Sequence, residues 1–232
     1  MNSNSSESVW PIGYVINPRQ GLDNDIIKAF RPIPVPVLGD CLGRHIGAMG
    51  LKPYHGDLRL VLCGPALTVR VRPGDNLMLH KAMLMAEPGD ILVVDGAGDT
   101  TLALIGGLMR TTAIAKLIGG FVIDGAVRDI LEWAEGGPPI FARGNTHRGP
   151  TKEGPGEINI PISCAGLTVH PGDLIVGDAD GVIAVRPTQL DRLLGDAQLH
   201  LRKEARIREQ NASGASDVER FDSILRRKGL PI

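Results

Sequence analysis

Short apolar runs separated by turn residues dominate the chain from residue 58 to residue 145. Runs rich in β-branched and other apolar residues predict buried strands at LRLVLCGPALTVRV (58–71), DILVVDGAG (90–98), FVIDG (121–125) and PIFARG (139–144). Because Gly64-Pro65 interrupts the first run, we expect two strands around a turn there. Apolar residues at helical spacing predict helices over 76–86, 107–119 and 127–135. Strands that alternate with helices indicate βαβ units and a partly parallel sheet.

The two ends of the chain have different patterns. Residues 22–30 and 37–50 predict two short helices, the first of which is stopped by the Pro-rich segment RPIPVPV. Residues 158–187 have the pattern of consecutive strands, and the chain from Pro187 onward predicts helix with a break at GASD. The polar first ten residues predict a disordered tail. We therefore expect a tail over 1–10 and a single domain over 11–232, in which 187–232 is a helical C-terminal extension.

A Pro-Gly-Asp triplet recurs at 73–75, 88–90 and 171–173. Pro-Gly sets a tight turn, and the aspartate carboxylate can accept hydrogen bonds from the turn amides. Turn formation is enough to explain the second and third copies, because a predicted strand follows each of them at once. The first copy leads into a predicted helix through Asn76, which could cap that helix or face a ligand.

Composition and charge narrow the class of protein. The chain of 232 residues is 43% apolar, has a net charge of −1 and contains no block of Lys and Arg, so the electrostatic footprint of a nucleic-acid-binding protein is missing. Its 3 cysteines form no C-x-x-C pair, which argues against a disulfide framework or a zinc site. It has no signal-peptide pattern and no apolar run of the roughly 18 residues that a spanning helix needs. We expect a cytoplasmic protein with no nucleic-acid or membrane partner.

The segment GGLM (106–109) is the first candidate for chemistry. Gly106 and Gly107 open a predicted helix, and glycine lets a ligand approach the backbone closely. A helix start offers unpaired amides, here including those of Leu108 and Met109, and the positive end of the helix dipole. This segment is therefore a candidate cradle for a carboxylate or a phosphate.

Arg128 and Asp129 are the second candidate, because they follow the next predicted strand in DGAVRD. Ligands collect at the carboxyl ends of strands in open α/β sheets, so we expect this pair to meet the GGLM helix start at one sheet edge. A carboxylate with open coordination positions suits Mg²⁺ or Mn²⁺, and an arginine suits a small carboxylic acid. A metal chelated by a 2-oxo acid would polarise the ketone and stabilise an enolate. The alternative is a structural ion pair at a helix start.

The remaining candidate residues indicate no other cofactor site. The 6 histidines form no H-x-x-x-H pair, which disfavours zinc, and His80 could lie in the core, on the surface or in the pocket. Thr101 stands where a G-x-G-x-x-G motif would have its third glycine, so a dinucleotide site is disfavoured. We interpret the apolar stretch TLALI as packing.

Several stretches together resemble the RraA-like family, specifically its aldolase branch. The matching stretches are PGDNLMLHKAM, PGDILVVDGAG, GGFVIDGAVRD, INIPISCAGLTVHPGDLIVGDADGVIAV and RKEARIRE, so the resemblance runs from about Pro36 to about Glu209. It implies an α/β protein with a three-layer β/β/α swivelling-type domain, mixed sheets and C-terminal helices. It also implies a ring-shaped homotrimer, sometimes stacked into a hexamer, with a divalent-metal site at the subunit boundary.

The resemblance also implies roles for individual residues. Arg128 would bind the carboxylate and ketone region of the substrate, and Asp129 would be the direct ligand of Mg²⁺ or Mn²⁺. The amides of Leu108 and Met109 would hold the substrate carboxylate. A glutamate on the C-terminal helix of a neighbouring subunit would hold metal-bound water, and Glu204 matches it best, with Glu209 as its competitor.

One position departs from the aldolase pattern. The aldolases carry an acidic residue where this chain has Gly107, and Asp99 in the preceding loop is the candidate substitute. The expected function is that of a metal-dependent, class II type aldolase or oxaloacetate decarboxylase that releases pyruvate from 4-hydroxy-2-oxo acids or oxaloacetate. Because the missing carboxylate would have oriented metal-bound water, we expect decarboxylation to survive and aldol cleavage to be weak. The alternatives are a non-catalytic regulatory or binding protein of the same family and an enzyme acting on another small carboxylate.

Overall fold

The computed structural model describes residues 13–214 and 217–232, so the tail expected over 1–10 lies outside the described residues. The strands are β1 (Tyr14–Ile16), β2 (Lys52–Pro53), β3 (Leu62–Val71), β4 (Ile91–Asp95), β5 (Ala103–Ile105), β6 (Gly120–Val127), β7 (Ile140–Asn145), β8 (Gly156–Ile158), β9 (Ile162–Cys164), β10 (Leu167–Val169), β11 (Leu174–Asp178) and β12 (Gly181–Val185). The α-helices are α1 (Asn24–Phe30), α2 (Val35–Cys41), α3 (Leu77–Met85), α4 (Gly107–Ala115), α5 (Ile130–Ala134), α6 (Leu190–Ala212) and α7 (Val218–Arg227).

β3, β4, β6 and β7 form the parallel centre of a large mixed sheet. The strand order is β1-β8-β3-β4-β6-β7-β2, and β5 pairs in parallel with β6. Helices α3, α4 and α5 lie between these strands along the chain, which confirms the βαβ units expected from the pattern. Antiparallel pairs are added by β8, β2 and the hairpin β11-β12.

The central strands bury side chains on both faces. Leu92 and Val94 pack in one core with residues of α3, α4 and α5, whereas Ile91 and Val93 pack in another with residues of β9, β10, β11 and β12. Since successive side chains of a strand point to opposite faces, the sheet has helices on one face and further β-structure on the other. This is the three-layer β/β/α arrangement that the resemblance implies.

A third core joins the C-terminal part of the chain to the hairpin. Leu190, Leu193 and Ala197 of α6 are buried with residues of α1, α2, β11 and β12. The predicted C-terminal helices are present as α6 and α7, and residues 215 and 216 of the predicted break lie outside the described residues. None of the described helices combines the length and the apolar composition that a bilayer span requires. The division into one domain with a helical extension stays a prediction.

The turn predicted at Gly64-Pro65 is wrong, because β3 runs through both residues. Gly64 and Pro65 pair with β11, and the pairing with β4 begins at Ala66. A proline is tolerated in a strand where the ladder needs no donor from it. A Cβ at Gly64 would lie 2.2 Å from the Gly89 carbonyl oxygen, so the glycine marks a close backbone approach instead of a turn.

Three predicted helices are shorter in the structure. The helix predicted over 107–119 ends at Ala115, and Leu117 just beyond it has positive φ. The helix predicted over 37–50 begins earlier and ends at Cys41, because Gly43 and Arg44 both have positive φ, which a right-handed helix cannot accommodate. The helix predicted over 127–135 comprises only Ile130–Ala134, because β6 extends to Val127. The residues between β6 and α5 are therefore Arg128 and Asp129.

Candidate functional site

Two parallel strands bring the predicted site residues together. β5 ends at Ile105 just before α4, β6 ends at Val127 just before Arg128, and Ile105 pairs with Val127. The Arg128 N–H donates to the Ile105 carbonyl at 3.0 Å. The helix start and the Arg128–Asp129 pair therefore lie at one edge of the sheet, as expected. The strand that leads into the helix is β5, which the pattern did not predict.

Asp129 turns the chain from β6 into α5. Its φ of 57° and ψ of 47° lie in the left-handed region, which Asp and Asn tolerate better than most other non-glycine residues. Its Oδ2 accepts a hydrogen bond from the Gly107 N–H at 2.8 Å. Strained backbone of this kind clusters at functional sites, and here it holds a carboxylate over the start of α4.

Arg128 combines a fixed backbone with a free guanidinium. Its carbonyl accepts a hydrogen bond from Trp133 Nε1 at 3.1 Å. Its Nε lies 3.5 Å from Asp129 Oδ2, and the two side chains are 37% and 38% exposed. An exposed pair at this distance contributes little to stability. A ligand could therefore replace this contact at little energetic cost.

The first turn of α4 offers one free amide beside this pair. The Gly107 N–H donates to Asp129, and the Met109 N–H donates to the Gly106 carbonyl at 3.0 Å. The Leu108 N–H has no acceptor among the described residues. Of the two amides expected to hold a carboxylate, that of Leu108 is therefore available and that of Met109 is engaged.

A pocket of about 140 Å³ opens beside the helix start. The residues that line it include Asn76, His80, Gly106, Leu108, Met109, Arg128 and Lys152. Two cationic side chains and the positive end of α4 make the pocket attractive to an anion.

Asn76 lines the pocket with an unused acceptor. The side chain is 3% exposed and makes no capping bond to α3, and its Nδ2 donates to the Leu104 carbonyl at 2.9 Å. Its Oδ1 has no hydrogen-bond partner among the described residues. A buried acceptor without a donor costs about 1–3 kcal/mol, so this oxygen has unused capacity to accept a hydrogen bond. Of the two alternatives left by the sequence, capping of α3 is not made, and the residue lines the pocket.

The first Pro-Gly-Asp triplet fixes the segment that carries Lys152. Asp75 is buried, and its Oδ2 accepts hydrogen bonds from Thr151 Oγ1 at 2.7 Å and from the Glu153 N–H at 2.6 Å. In the other two copies the aspartate bonds back to its own turn, as expected. The first copy therefore holds one wall of the pocket.

His80 faces the pocket, and burial together with the Lys152 charge lowers the pKa of its imidazole. We expect Lys152→Gln to raise the pKa of His80, because the repulsion between two positive charges is removed while the burial remains. Above its lowered pKa the imidazole is neutral, and protonation at lower pH adds a positive charge to the pocket. An NMR titration of the His80 ring signal measures the shift. The matched variant Lys81→Gln should leave the midpoint unchanged, and equal midpoints in both variants would refute the coupling.

Glu132 lies against the start of α4, a contact that the sequence did not identify. A Cβ built on Gly107 would lie 2.2 Å and 2.4 Å from the two carboxylate oxygens of Glu132. The Glu132 side chain therefore fills the space over the glycine. Its position in the first turn of α5, three residues after Asp129, was the available signal, because residues three apart share a helix face.

The two acidic residues expected to assist the site have other contacts. The Asp99 carboxylate accepts hydrogen bonds from the Thr101 N–H and Oγ1, both at 3.0 Å, within its own loop. Glu204 contacts His200 and Arg208 on α6 itself. Its ligand atom lies with those of Asp40 and His200 in a group within 4.8 Å of one another. The role of Glu204 towards a neighbouring subunit stays a prediction.

Comparison with protein families places most of the chain in one of them. The RraA-like family model, described as Aldolase/RraA, matches residues 26–184. A protein of Halalkalibacterium halodurans, provisionally named as a 4-hydroxy-4-methyl-2-oxoglutarate aldolase, is 45% identical over 175 residues, which cover 75% of this chain and 82% of that protein. The 4-hydroxy-4-methyl-2-oxoglutarate aldolase of Thermus thermophilus is 35% identical over 135 residues, which cover 58% of this chain and 80% of that protein.

A solved structure has the same fold. A member of the RNase ES inhibitor RraA protein family from Streptomyces coelicolor superposes with a TM-score of 0.75 at 25% identity, over 82% of this chain and 99% of that one. The mixed sheet with helices on one face and C-terminal helices is therefore an arrangement that known proteins share.

Proposed function

The chain belongs to the RraA-like, Aldolase/RraA family, and from this premise we propose that it is a metal-dependent lyase that releases pyruvate from 4-hydroxy-2-oxo acids. One observation carries the proposal: Arg128 and Leu108 line the pocket beside the start of α4, and the Asp129 carboxylate lies against Arg128 and accepts a hydrogen bond from the Gly107 N–H at that same helix start. The names of the relatives support the same reaction class. Oxaloacetate, which also gives pyruvate when a C–C bond breaks, is the second substrate we propose.

The residues present fit a hard divalent cation. Asp129 offers a half-exposed carboxylate, and carboxylate oxygen is the ligand that Mg²⁺ and Mn²⁺ prefer while they keep several waters. When bound beside Asp129, such an ion would polarise the substrate ketone and stabilise negative charge on its oxygen. We therefore assign Asp129 to the metal.

The other residues would bind and orient an anionic substrate. The Arg128 guanidinium and the Leu108 amide would hold the carboxylate next to the ketone, because both are donors with spare capacity at the pocket wall. Lys152 would attract the distal carboxylate, and Asn76 Oδ1 would accept a hydrogen bond from the substrate hydroxyl. This arrangement orients the bond that breaks before the reaction begins.

The reaction places defined demands on the site. A base takes the proton of the C4 hydroxyl, the C4–O bond becomes a carbonyl, and the C3–C4 bond breaks. The electron pair of that bond passes to the pyruvate enolate, which gains a proton at C3. Cleavage of 4-hydroxy-4-methyl-2-oxoglutarate gives two molecules of pyruvate. Decarboxylation of oxaloacetate needs the same stabilisation of the enolate but no base for a hydroxyl proton.

A panel of substrates tests the reaction class. We expect pyruvate from 4-hydroxy-4-methyl-2-oxoglutarate and from oxaloacetate in the presence of Mg²⁺ or Mn²⁺, measured as kcat/KM with a coupled lactate dehydrogenase assay. A 4-hydroxy acid without the 2-oxo group is the matched control, and it should give no product because it has no ketone to accept the electron pair. Rates on both 2-oxo acids no greater than those without protein would contradict the proposal.

Two further features stay predictions. The homotrimer or hexamer and the cytoplasmic location follow from the resemblance and the composition. Leu108 is 86% exposed at the mouth of the pocket, which is compatible with a neighbouring subunit covering the site. The alternative of a non-catalytic regulatory protein has support in the name of the Streptomyces coelicolor structure, and the substrate panel separates it from an enzyme.

A further inference from the structure

The start of α4 has two consecutive glycines because acidic and basic side chains lie against its backbone. A Cβ at Gly106 would lie 2.4 Å from Asp129 Oδ2 and 2.9 Å from Arg128 Nε, and a Cβ at Gly107 would lie 2.2 Å from Glu132 Oε2. Neither glycine has the positive φ that would itself require glycine. The space that the absent side chains leave is occupied by the functional groups of α5 and of the turn before it.

The Glu132 carboxylate lies where an aspartate at position 107 would place its own. The two oxygens and Cδ of Glu132 lie 2.2 Å, 2.4 Å and 2.5 Å from the Cβ position of Gly107. The carboxylate oxygens of an aspartate are two covalent bonds from its Cβ. The carboxylate of an aspartate at position 107 would therefore occupy nearly the same volume as the Glu132 carboxylate. In this conformation the exposed Glu132 carboxylate occupies the space that a side chain at position 107 would take.

We propose that Glu132 supplies the second carboxylate of the site, in place of an acidic residue at position 107. This inference rests on the proposed function, because the carboxylate would serve the metal and the substrate of that reaction. Glu132 acts as a positioning residue: its exposed carboxylate would hold and orient a water molecule between itself and the cation beside Asp129.

The oriented water would take the proton of the C4 hydroxyl and pass it to solvent as the C3–C4 bond breaks. The bond's electron pair moves to the pyruvate enolate, and the other fragment keeps the C4 oxygen as a carbonyl. With Glu132 in this role, retro-aldol cleavage would keep its base, so this proposal predicts stronger aldol activity than Gly107 alone would give. The effect on oxaloacetate should be smaller, because decarboxylation transfers no hydroxyl proton.

A carboxylate exchange between the two positions tests this assignment. Four variants are compared with the unaltered protein: Glu132→Gln, Glu132→Ala, Gly107→Asp and the double variant Gly107→Asp/Glu132→Ala. Glu135→Gln, a second exposed glutamate at the end of α5, is the matched control. The readouts are Mn²⁺ affinity by isothermal titration, kcat/KM for both substrates and the midpoint of thermal unfolding.

We expect Glu132→Gln and Glu132→Ala to lower Mn²⁺ affinity and aldol kcat/KM by about 10–100-fold, the usual loss for a residue that supports a metal ligand. The double variant should recover most of both. Gly107→Asp alone should gain no activity, because Glu132 already supplies the carboxylate, and it should change the unfolding midpoint little, because the exposed Glu132 side chain can move aside. Glu135→Gln should match the unaltered protein.

Failure of this inference is distinguishable from failure of the proposed function. An active protein in which Glu132→Gln and Glu132→Ala keep full Mn²⁺ affinity and aldol kcat/KM would overturn the inference and leave the lyase function intact. A folded double variant that recovers neither quantity would also overturn it. If the unaltered protein cleaves neither substrate, the proposed function fails, and the Mn²⁺ affinities alone then decide whether Glu132 supports a cation.

Discussion

Asp129→Asn should lower pyruvate release by about 10³-fold or more and should remove measurable Mg²⁺ or Mn²⁺ binding. The reason is that we assign the Asp129 carboxylate to the metal. A metal that polarises the ketone stabilises the transition state by several kcal/mol, and each factor of ten in rate corresponds to about 1.4 kcal/mol. Asparagine removes the negative charge with the least other change. It tolerates the left-handed conformation at φ 57° and can still accept the hydrogen bond from the Gly107 N–H. The fold should therefore be unchanged.

Isothermal titration and the coupled assay measure these two losses. Asp99→Asn is the informative comparison, because Asp99 was the candidate second acid from sequence but its carboxylate binds Thr101. That variant should keep both binding and rate. Equal metal affinity in Asp129→Asn and the unaltered protein would remove Asp129 from the metal site.

Arg128→Met should lower kcat/KM for 2-oxo acids by about 10²–10³-fold, the loss typical of removing one donor to developing negative charge. Methionine keeps much of the aliphatic stem, and the loose ion pair with Asp129 contributes little to folding, so the unfolding midpoint should barely change. Arg128→Lys should fall between the two, because it keeps the charge but loses the planar pair of donors.

Measurements of kcat/KM with both substrates distinguish binding of the substrate carboxylate by Arg128 from a structural role of this residue. Arg148→Lys is the matched control, since Arg148 is exposed and is not among the pocket-lining residues. It should leave kcat/KM unchanged. An Arg128→Met protein with full kcat/KM would show that the carboxylate is held elsewhere.

The sequence predicted the parts of the site that follow from strand order. GGLM and DGAVRD each follow a buried strand, and parallel strands bring their carboxyl ends to one edge, so the meeting of Gly106 with Arg128 and Asp129 could be expected. β5 was missed because a three-residue strand leaves too short a pattern to separate from packing. The turn at Gly64-Pro65 was predicted wrongly because Gly and Pro were taken as turn formers, whereas Gly64 allows a close backbone approach and Pro65 lies within β3.

The contribution of Glu132 could not be read from sequence for a different reason. From sequence alone, glycine at position 107 indicates that a carboxylate is missing. The tertiary structure shows that the carboxylate of Glu132, on another helix, lies in that space. The free Oδ1 of Asn76 depends in the same way on the distance between α3 and β5. The local sequence pattern predicts which residues follow a strand. Only tertiary packing determines which side chains from different elements lie against one another.

Pyruvate release from 4-hydroxy-4-methyl-2-oxoglutarate by metal-free and metal-restored protein tests the central claim most directly. The protein is freed of cations with a chelator, dialysed and assayed before and after addition of Mg²⁺ or Mn²⁺. We expect background release without metal and recovery of full activity on its addition, with two pyruvates for each substrate consumed. Full activity in the metal-free protein, or no activity after either metal is restored, would contradict the account.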